Sequence, residues 1–161
     1  MEMVQVKEAI LTALEVAKYL LSKANFDGES ITNLKMQKLL YYAQAWYLVN
    51  YSLPLFSDPI MAWKFGPIVE STYHHFKRFR YLPIQFANRE KIEEKIPERE
   101  KKYLDEFYHV YIRYSASDLT QMSHNEAPWK NTAQSKTIPV DTIMRFYKEQ
   151  YKKHLDQKKK S

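Results

Sequence analysis

The stretch AWKFGPIVESTYHHF, residues 62–76, holds one of only two glycines in this chain of 161 residues. Pro67 follows Gly66 directly, and a proline in the first turn of a helix costs no hydrogen bond, because its missing N–H would have no acceptor within the helix. The residue before a proline is pushed out of the helical region, and glycine there lets a large side chain or another backbone approach closely. We therefore predict a sharp corner at Gly66, a helix that starts at Pro67, and Trp63 and Lys64 presented just before the corner.

Outside this corner, apolar residues recur mostly at every third or fourth position, which is the spacing of one face of an α-helix. The scarcity of glycine also disfavours β-rich folds, which use glycine in hairpin turns and bulges. We therefore predict an all-α fold, a single compact domain of five to seven helices, with an extended or hairpin excursion at residues 51–65, where prolines interrupt the periodicity. The expected helices cover residues 6–24, 34–50, 67–82, 98–114, 116–123 and 140–155.

Length and composition indicate one domain. A chain of this size can bury roughly 70% of the surface that its unfolded form exposes, which is enough for one core. We assign residues 1–156 to this domain and residues 157–161 to a lysine-rich tail that we expect to be disordered. Residues 84–97 are predicted to form a polar connector in which a short helix would fit, and residues 124–132 are predicted to be irregular.

The net charge of +6 does not by itself indicate a nucleic-acid partner. Residues 151–161 hold five Lys and one Asp, so this end contributes 5 − 1 = +4 of the total. A lysine run at a chain end is usually solvated, and electrostatic steering toward nucleic acid needs a basic face on the folded body. Nucleic acid is therefore not the expected partner.

The cysteine count and the N-terminal residues indicate where the protein acts. The chain has no cysteine, which excludes disulfides, thiolate nucleophiles and cysteine-based zinc sites. Charged residues punctuate the first 21 positions, whereas a signal peptide or a membrane span needs an uninterrupted apolar core. We expect a cytoplasmic protein with no membrane segment.

The histidines and glycines do not form a recognisable catalytic or cofactor site. His74 and His75 are adjacent, which places them about 100° apart on a helix, so they cannot chelate one ion in the usual way. His124 precedes the irregular stretch, and we favour a structural role in which its ring binds backbone there over a role in catalysis. Two isolated glycines cannot build a phosphate-binding loop. We predict no catalytic residue, no metal and no cofactor.

Two motifs in this chain resemble a known family. The first runs from the helix KLLYYAQAWYL (residues 38–48) through PLF (residues 54–56) to the corner AWKFGPI (residues 62–68) and Tyr73. The second is LTQMSHNEAPW (residues 119–129). In this order they resemble the Panacea domain, which is also described as the SocA-like antitoxin domain. Many members carry a glycine just before the PLF step, where this chain has the sequence NYSL.

The resemblance implies a binding module that is not an enzyme, namely an antitoxin that neutralises a co-encoded toxin by direct protein–protein contact. In one branch of the family the domain is similar to a proteolytic adaptor that delivers its toxin to a ClpXP-type protease. Two alternatives therefore stay open. One is a proteolytic adaptor or a phage-encoded modulator that binds a host protein, and the other is a hydrolase or nuclease whose site the sequence does not reveal.

Aromatic residues indicate where a partner would bind, because Tyr and Trp bury a large area at low conformational cost. The chain has 13 Tyr and 3 Trp, more than a core of this size needs. We predict a partner-binding patch between the Gly66-Pro67 corner and the loop at residues 124–129, with Pro128 helping to fix that loop. The predicted members of the patch are Tyr42, Trp46, Trp63, Lys64, Tyr73, His124 and Trp129. The alternative, in which these aromatic residues belong to the core, stays open.

Overall fold

The computed structural model describes residues 9–160, and within them the predicted all-α fold is confirmed. The α-helices of this part of the chain are α1 (Ala13–Asp27), α2 (Asn33–Tyr51), α3 (Glu70–Phe76), α4 (Glu98–Tyr111), α5 (Ala116–His124), α6 (Ala127–Lys130) and α7 (Val140–Lys159). Two short strands, β1 (Met61–Trp63) and β2 (Gly66–Ile68), form an antiparallel hairpin. Short 3-10 turns lie at Lys77–Phe79 and Ile92–Lys95.

Helix α1 begins later than its periodicity predicts. The predicted start at residue 6 lies outside the described residues, and residues 9–12 are not helical. The helix begins at Ala13 because Thr12 caps it. The Thr12 hydroxyl accepts from the Glu15 N–H at 3.1 Å, and the Glu15 carboxylate accepts from the Thr12 N–H at 2.9 Å. This reciprocal capping box provides acceptors for the Thr12 and Glu15 backbone N–H groups, which have no acceptor within a helix that begins at Ala13.

Helix α2 is the centre of the domain, as its wide apolar face predicts. It contacts α1, α3, α4, α5, α7 and β2, and its side chains are buried around most of its circumference. Four of the buried side chains are polar, and these are Asn33, Gln37, Lys38 and Gln44. Burying a polar group costs free energy unless it forms hydrogen bonds. These four side chains therefore need partners in the chain that surrounds α2.

The first two helices end at residues in the left-handed conformation. Gly28 closes α1 with φ 71°, and Ser52 closes α2 with φ 54°. This conformation costs a residue with a side chain roughly 1–2 kcal/mol, whereas glycine adopts it freely. A glycine at position 52, within the stretch before the PLF step, would avoid this strain.

The hairpin extends further along the chain than the sequence predicts. Trp63 pairs with Gly66, and Ala62 pairs with Pro67, so Pro67 lies in strand β2. Helix α3 begins only at Glu70. The prediction that a helix starts at Pro67 is therefore wrong, although the corner at Gly66 is present.

The side chains of α2 hold this segment extended. The Lys38 ammonium donates to the carbonyl oxygen of Pro67 at 3.1 Å. The side-chain oxygen of Gln37 accepts from the Val69 N–H at 2.9 Å and from the Thr72 hydroxyl at 3.1 Å. Because the Pro67 carbonyl binds Lys38, it is not available to accept the N–H four positions further on, as a helix that starts at Pro67 would require.

The C-terminal helices differ from the predictions mainly at their ends. Residues 127–130, predicted to be irregular, form the single turn α6, with Pro128 in its first turn, where proline is favoured. Helix α7 continues to Lys159, and its buried residues, Ile143 and Tyr147, lie in its first half. Within residues 9–160 no helix combines the length and the apolar character that crossing a membrane requires.

Candidate partner-binding site

Gly66 lies directly over the side chain of Lys38. Its φ is 108°, and a β carbon placed on it would lie 2.7 Å from Lys38 Cε and 3.2 Å from Ser123 Oγ. Glycine therefore satisfies both the backbone conformation and the space at this corner. The sequence predicted a close approach at Gly66, and the group that approaches is Lys38.

Lys38 is the buried cation of the domain's centre. Its side chain is fully buried and donates to the Pro67 carbonyl. Burial disfavours the charged form and lowers the pKa of Lys38 to about 7. The amine thus connects α2 to strand β2, and the free energy needed to bury it is larger when it is protonated.

Two further polar side chains of α2 hold the chain on either side of the hairpin. The side-chain amide of Gln44 donates to the Phe56 carbonyl at 2.7 Å and accepts from the Leu55 N–H at 2.6 Å. The side-chain amide of Asn33 donates to the Tyr73 carbonyl at 3.1 Å. The hairpin is therefore anchored before and after its strands by one helix.

These polar residues of α2 were not among the predicted members of the site. Asn33, Gln37 and Gln44 are spaced by four and seven positions, so they lie on one face of a helix that is otherwise apolar. Lys38 is adjacent to Gln37 and is buried as well. Polar residues at helical spacing within a helix predicted to be buried on several sides were the signal that could have found them.

The loop between α5 and α6 binds the hairpin from the other side. The Trp129 indole N–H donates to the Trp63 carbonyl at 2.8 Å. The His124 ring stacks on Trp129, with ring centroids 4.0 Å apart. Burial and then the nearby Lys38 ammonium lower the pKa of His124, while its hydrogen bond with the Lys64 main chain raises it. His124 thus lies against Trp129 beside the hairpin.

The segment at residues 135–138 follows the outer side of strand β1. Ser135 N–H donates to the Ala62 carbonyl at 2.6 Å, and the Ala62 N–H donates to the Lys136 carbonyl at 2.9 Å. The Ile138 N–H donates to the Ile60 carbonyl at 2.7 Å. The hairpin therefore lies between helix α2 and this segment.

Trp63 separates two clefts on the surface of the hairpin. The smaller cleft, about 150 Å³, is bordered by Lys64, Trp129 and Lys130. The larger one, about 430 Å³, we call the hairpin groove. The side chains that define the hairpin groove are Leu34, Trp63, Phe65, Tyr73, Lys77, Arg80 and Tyr81. Of these, Phe65 and Tyr81 are mostly exposed.

The structure brings Trp63, Lys64, Tyr73, His124 and Trp129 together at this surface. Trp63 contacts Tyr73 edge to face, with ring centroids 5.0 Å apart. Lys64 is exposed at the hairpin turn. Phe65, Lys77, Arg80 and Tyr81 were not among the predicted members of the patch. Two signals in the sequence could have found them: Phe65 follows Lys64 at the predicted corner, and the other three lie in the basic, aromatic stretch at residues 76–81.

Two other predicted members of the patch, Tyr42 and Trp46, lie elsewhere. Tyr42 is only 1% exposed and stacks on Tyr111, with ring centroids 5.2 Å apart. Its hydroxyl donates to the Glu126 carboxylate, whose pKa is raised by burial. The Trp46 indole N–H donates to the Tyr111 hydroxyl, and its ring contacts Tyr147 edge to face. Tyr42 therefore lies in the interior and holds the α5–α6 loop at Glu126, and Trp46, which is half-buried, belongs to the aromatic cluster around Tyr111 and Tyr147.

The histidines near the hairpin contact aromatic rings. His74 lies against Trp63 and Tyr73, with ring centroids 6.3 and 5.6 Å away, while His75 contacts Phe76 at 5.0 Å. Adjacent histidines thus have different neighbours, as their positions on a helix predict. Within residues 9–160, His, Asp and Glu side chains nowhere form a group of three or more that could hold a metal ion.

The fold and this site define a small all-α domain that presents an aromatic and basic hairpin, braced on both sides. Residues 36–130 match the family described as Antitoxin SocA-like, Panacea domain. The curated protein Antitoxin SocA of Caulobacter vibrioides (strain NA1000 / CB15N) is 34% identical over 128 residues, which are 73% of this chain and 68% of that protein. The chain belongs to the Antitoxin SocA-like, Panacea domain family. No solved structure matches it.

The region that matches the family contains the parts of the site that brace the hairpin. It includes Lys38 and Gln37 on α2, both strands, and the α5–α6 loop with Trp129. The segment at residues 135–138 lies just beyond it. The contacts that Lys38, Gln37 and Trp129 make with the hairpin therefore lie within the matched region.

Proposed function

We propose that this protein is an antitoxin that neutralises a co-encoded toxin by binding it directly through the hairpin surface. Membership of the antitoxin family and the 34% identity to Antitoxin SocA support the antitoxin role. The observation that carries direct binding is the exposure of aromatic and basic side chains on a braced hairpin. Phe65, at its turn, is 61% exposed and lies next to exposed Lys64.

The bracing contacts support this proposal because a prearranged surface loses little conformational freedom on binding. The Lys38 bond to Pro67 and the Trp129 bond to Trp63 both end on main-chain carbonyls of the hairpin. The side chain of Phe65 at the turn is therefore presented from a backbone that is already ordered. Large aromatic side chains in such positions contribute much of the energy of protein interfaces.

The chain is expected to act without catalytic turnover, in the cytoplasm, where a co-encoded toxin is made. The test is co-expression with the tagged product of the adjacent gene. Phe65→Ser should reduce the co-purified toxin at least about tenfold, because truncating a central aromatic typically costs more than about 1.4 kcal/mol of binding. Its melting temperature should stay that of the native chain, since Phe65 is largely solvated.

Phe26→Ser is the matched control. Phe26 is 92% exposed, lies on α1 and does not border either cleft of the hairpin. This variant should co-purify the toxin as the native chain does. Equal recovery of toxin by Phe65→Ser and the native chain would refute binding through the hairpin.

The same experiment distinguishes blocking from delivery to a protease. Under direct neutralisation, the toxin accumulates in the complex whether or not a ClpXP-type protease is present. If the protein is a proteolytic adaptor, the toxin level falls only when both the protease and this chain are present. Growth rescue with a constant amount of toxin therefore supports blocking, and rescue that requires the protease supports the adaptor.

A further inference from the structure

The hairpin groove is lined by apolar side chains from several elements. Strand β1 contributes Trp63, α3 contributes Tyr73, and the turn contributes Phe65. Leu34, in the first turn of α2, is partly exposed beside them, and Tyr81 is 83% exposed. At about 430 Å³ the groove lies in the lower part of the range of roughly 300–1,000 Å³ that is usual for ligand pockets. It therefore has room for an apolar side chain of a partner.

The charges around the groove have one sign. Lys77 and Arg80 line it, and exposed Lys64 lies at the adjacent hairpin turn. Among residues 9–160, no Asp or Glu lines the groove, and neither Lys77 nor Arg80 has an ion-pair partner. Charge complementarity sets the partner's register and speeds its approach. Two cations without carboxylates thus favour an acidic occupant.

We propose that the hairpin groove binds an acidic segment of a partner protein that inserts an apolar anchor residue between Phe65 and Tyr73. This inference rests on the proposed function and adds the chemistry of the toxin segment. The anchor fills the aromatic groove, and carboxylates on either side of it pair with Lys77 and Arg80. Arg is suited to this pairing because its planar guanidinium can bind a carboxylate with two parallel hydrogen bonds.

A protein segment is favoured over nucleic acid by the distribution of charge. Binding a nucleic-acid strand requires a track of several cations along the phosphates. The groove offers two, with one more at the turn, and the lysine-rich end of the chain lies on α7, which does not line it. The apolar lining of the groove also matches a side-chain anchor.

The test uses a fluorescein-labelled peptide in which Asp and Glu alternate with Leu and Trp, measured by fluorescence anisotropy. The native chain should bind it, and the affinity should fall as salt screens the charges. Lys77→Glu combined with Arg80→Glu should weaken binding at least about tenfold, which is about 1.4 kcal/mol. Lys152→Glu with Lys153→Glu, the same charge change on exposed positions of α7, should bind as the native chain does.

Three results would overturn the inference. The first is equal affinity of the native chain and the Lys77→Glu, Arg80→Glu variant for the acidic peptide. The second is equal affinity for a twin peptide in which Lys replaces each acidic residue. The third is tighter binding of a single-stranded oligonucleotide of similar length, which would make the groove a nucleic-acid site.

Co-purification with the adjacent gene product separates this inference from the proposed function. If the Lys77→Glu, Arg80→Glu variant retains the toxin while Phe65→Ser loses it, the acidic-segment inference fails and the antitoxin function stands. If the native chain binds the acidic peptide through the groove but neither binds nor neutralises the adjacent product, the antitoxin function fails and the acidic-segment inference stands.

Discussion

Lys38 occupies the space that a side chain at Gly66 would need, with its Cε 2.7 Å from where a β carbon would lie. Gly66→Ala should lower the free energy of unfolding by about 3 kcal/mol. Backbone strain at φ 108° and overpacking each cost about 1–3 kcal/mol. Urea unfolding followed by circular dichroism measures this loss.

The other glycine provides the control. Gly28→Ala also places a side chain at positive φ, 71°, but no atom lies within 4 Å of its β carbon. Its cost should be about 1 kcal/mol, from strain alone. If both variants lost the same stability, the contact with Lys38 would not explain the glycine at position 66.

Lys38→Met should stabilise the fold at neutral pH by about 2 kcal/mol. It removes a buried charge, whose cost exceeds the roughly 1–3 kcal/mol of a lost hydrogen bond. Because burial lowers the pKa of Lys38 to about 7 from the usual 10.5, the unfolded chain binds one more proton than the folded chain between these values. The native chain therefore gains stability as pH rises through this window, and the burial cost is fully present below it.

The stability difference between Lys38→Met and the native chain isolates this effect, because other titrating groups occur in both proteins. The advantage of Lys38→Met should be largest at or below pH 7 and should shrink as pH increases toward about 10. Urea unfolding at several pH values measures it. A difference that does not change with pH would show that Lys38 keeps an ordinary pKa in the folded protein.

Tyr42→Phe should lower stability at pH 7 by about 1–3 kcal/mol, because the half-buried Glu126 carboxylate loses its donor. Burial raises the pKa of Glu126, and the Tyr42 hydroxyl holds it lower. Removing the hydroxyl should raise the pKa further. A folded pKa above the unfolded value gives stability that is present at low pH and is lost as pH rises. The cost of Tyr42→Phe should therefore be smaller near pH 4 than at pH 7.

Adding Glu126→Gln to Tyr42→Phe checks this explanation. A neutral amide cannot take up a proton, so the double variant should not show the extra pH dependence of Tyr42→Phe. Thermal unfolding of the four proteins of this cycle between pH 4 and pH 7, a range set by ordinary carboxyl titration, measures the coupling. Pairwise additive effects at every pH would mean that the two groups do not interact.

Trp129→Phe should keep the stack on His124 but remove the donor to the Trp63 carbonyl. We expect a stability loss of about 1 kcal/mol and, beyond that, weaker co-purification of the toxin, because the hairpin loses one brace. Trp46→Phe is the matched control, since it removes an indole donor inside the aromatic cluster. Equal effects of the two variants on toxin binding would show that the hydrogen bond from Trp129 to Trp63 does not contribute to binding.

Helical periodicity predicted the long helices well because burial of one face decides where a helix lies. The predicted range at residues 34–50 and the observed α2, Asn33–Tyr51, differ by one residue at each end. The conformation of Pro67 could not be predicted in the same way. It depends on the Lys38 ammonium, 29 positions away in the chain, and local propensity alone favours a helix start at proline.

The candidate site was only partly predictable for a related reason. Tyr and Trp serve both cores and interfaces, so residue type alone does not separate Trp63 at the hairpin from Tyr42 in the interior. The two family motifs led to the prediction that Trp63 and Trp129 lie in one patch, and the Trp129 indole does donate to the Trp63 carbonyl. Lys77 and Arg80 line the groove because of the path that the chain takes after α3, and residue type alone does not predict that path.

The segment at residues 135–138 has a consequence for the way a partner can dock. Its hydrogen bonds occupy the free edge of β1 at Ala62, and α2 takes the Pro67 carbonyl and the Val69 amide on the opposite edge. Neither rim of the two-stranded ribbon is open, so an incoming peptide cannot join it as an additional strand, a common mode of peptide recognition. Any partner that docks on the hairpin therefore has to be recognised by protruding side chains and not by backbone pairing along the strands.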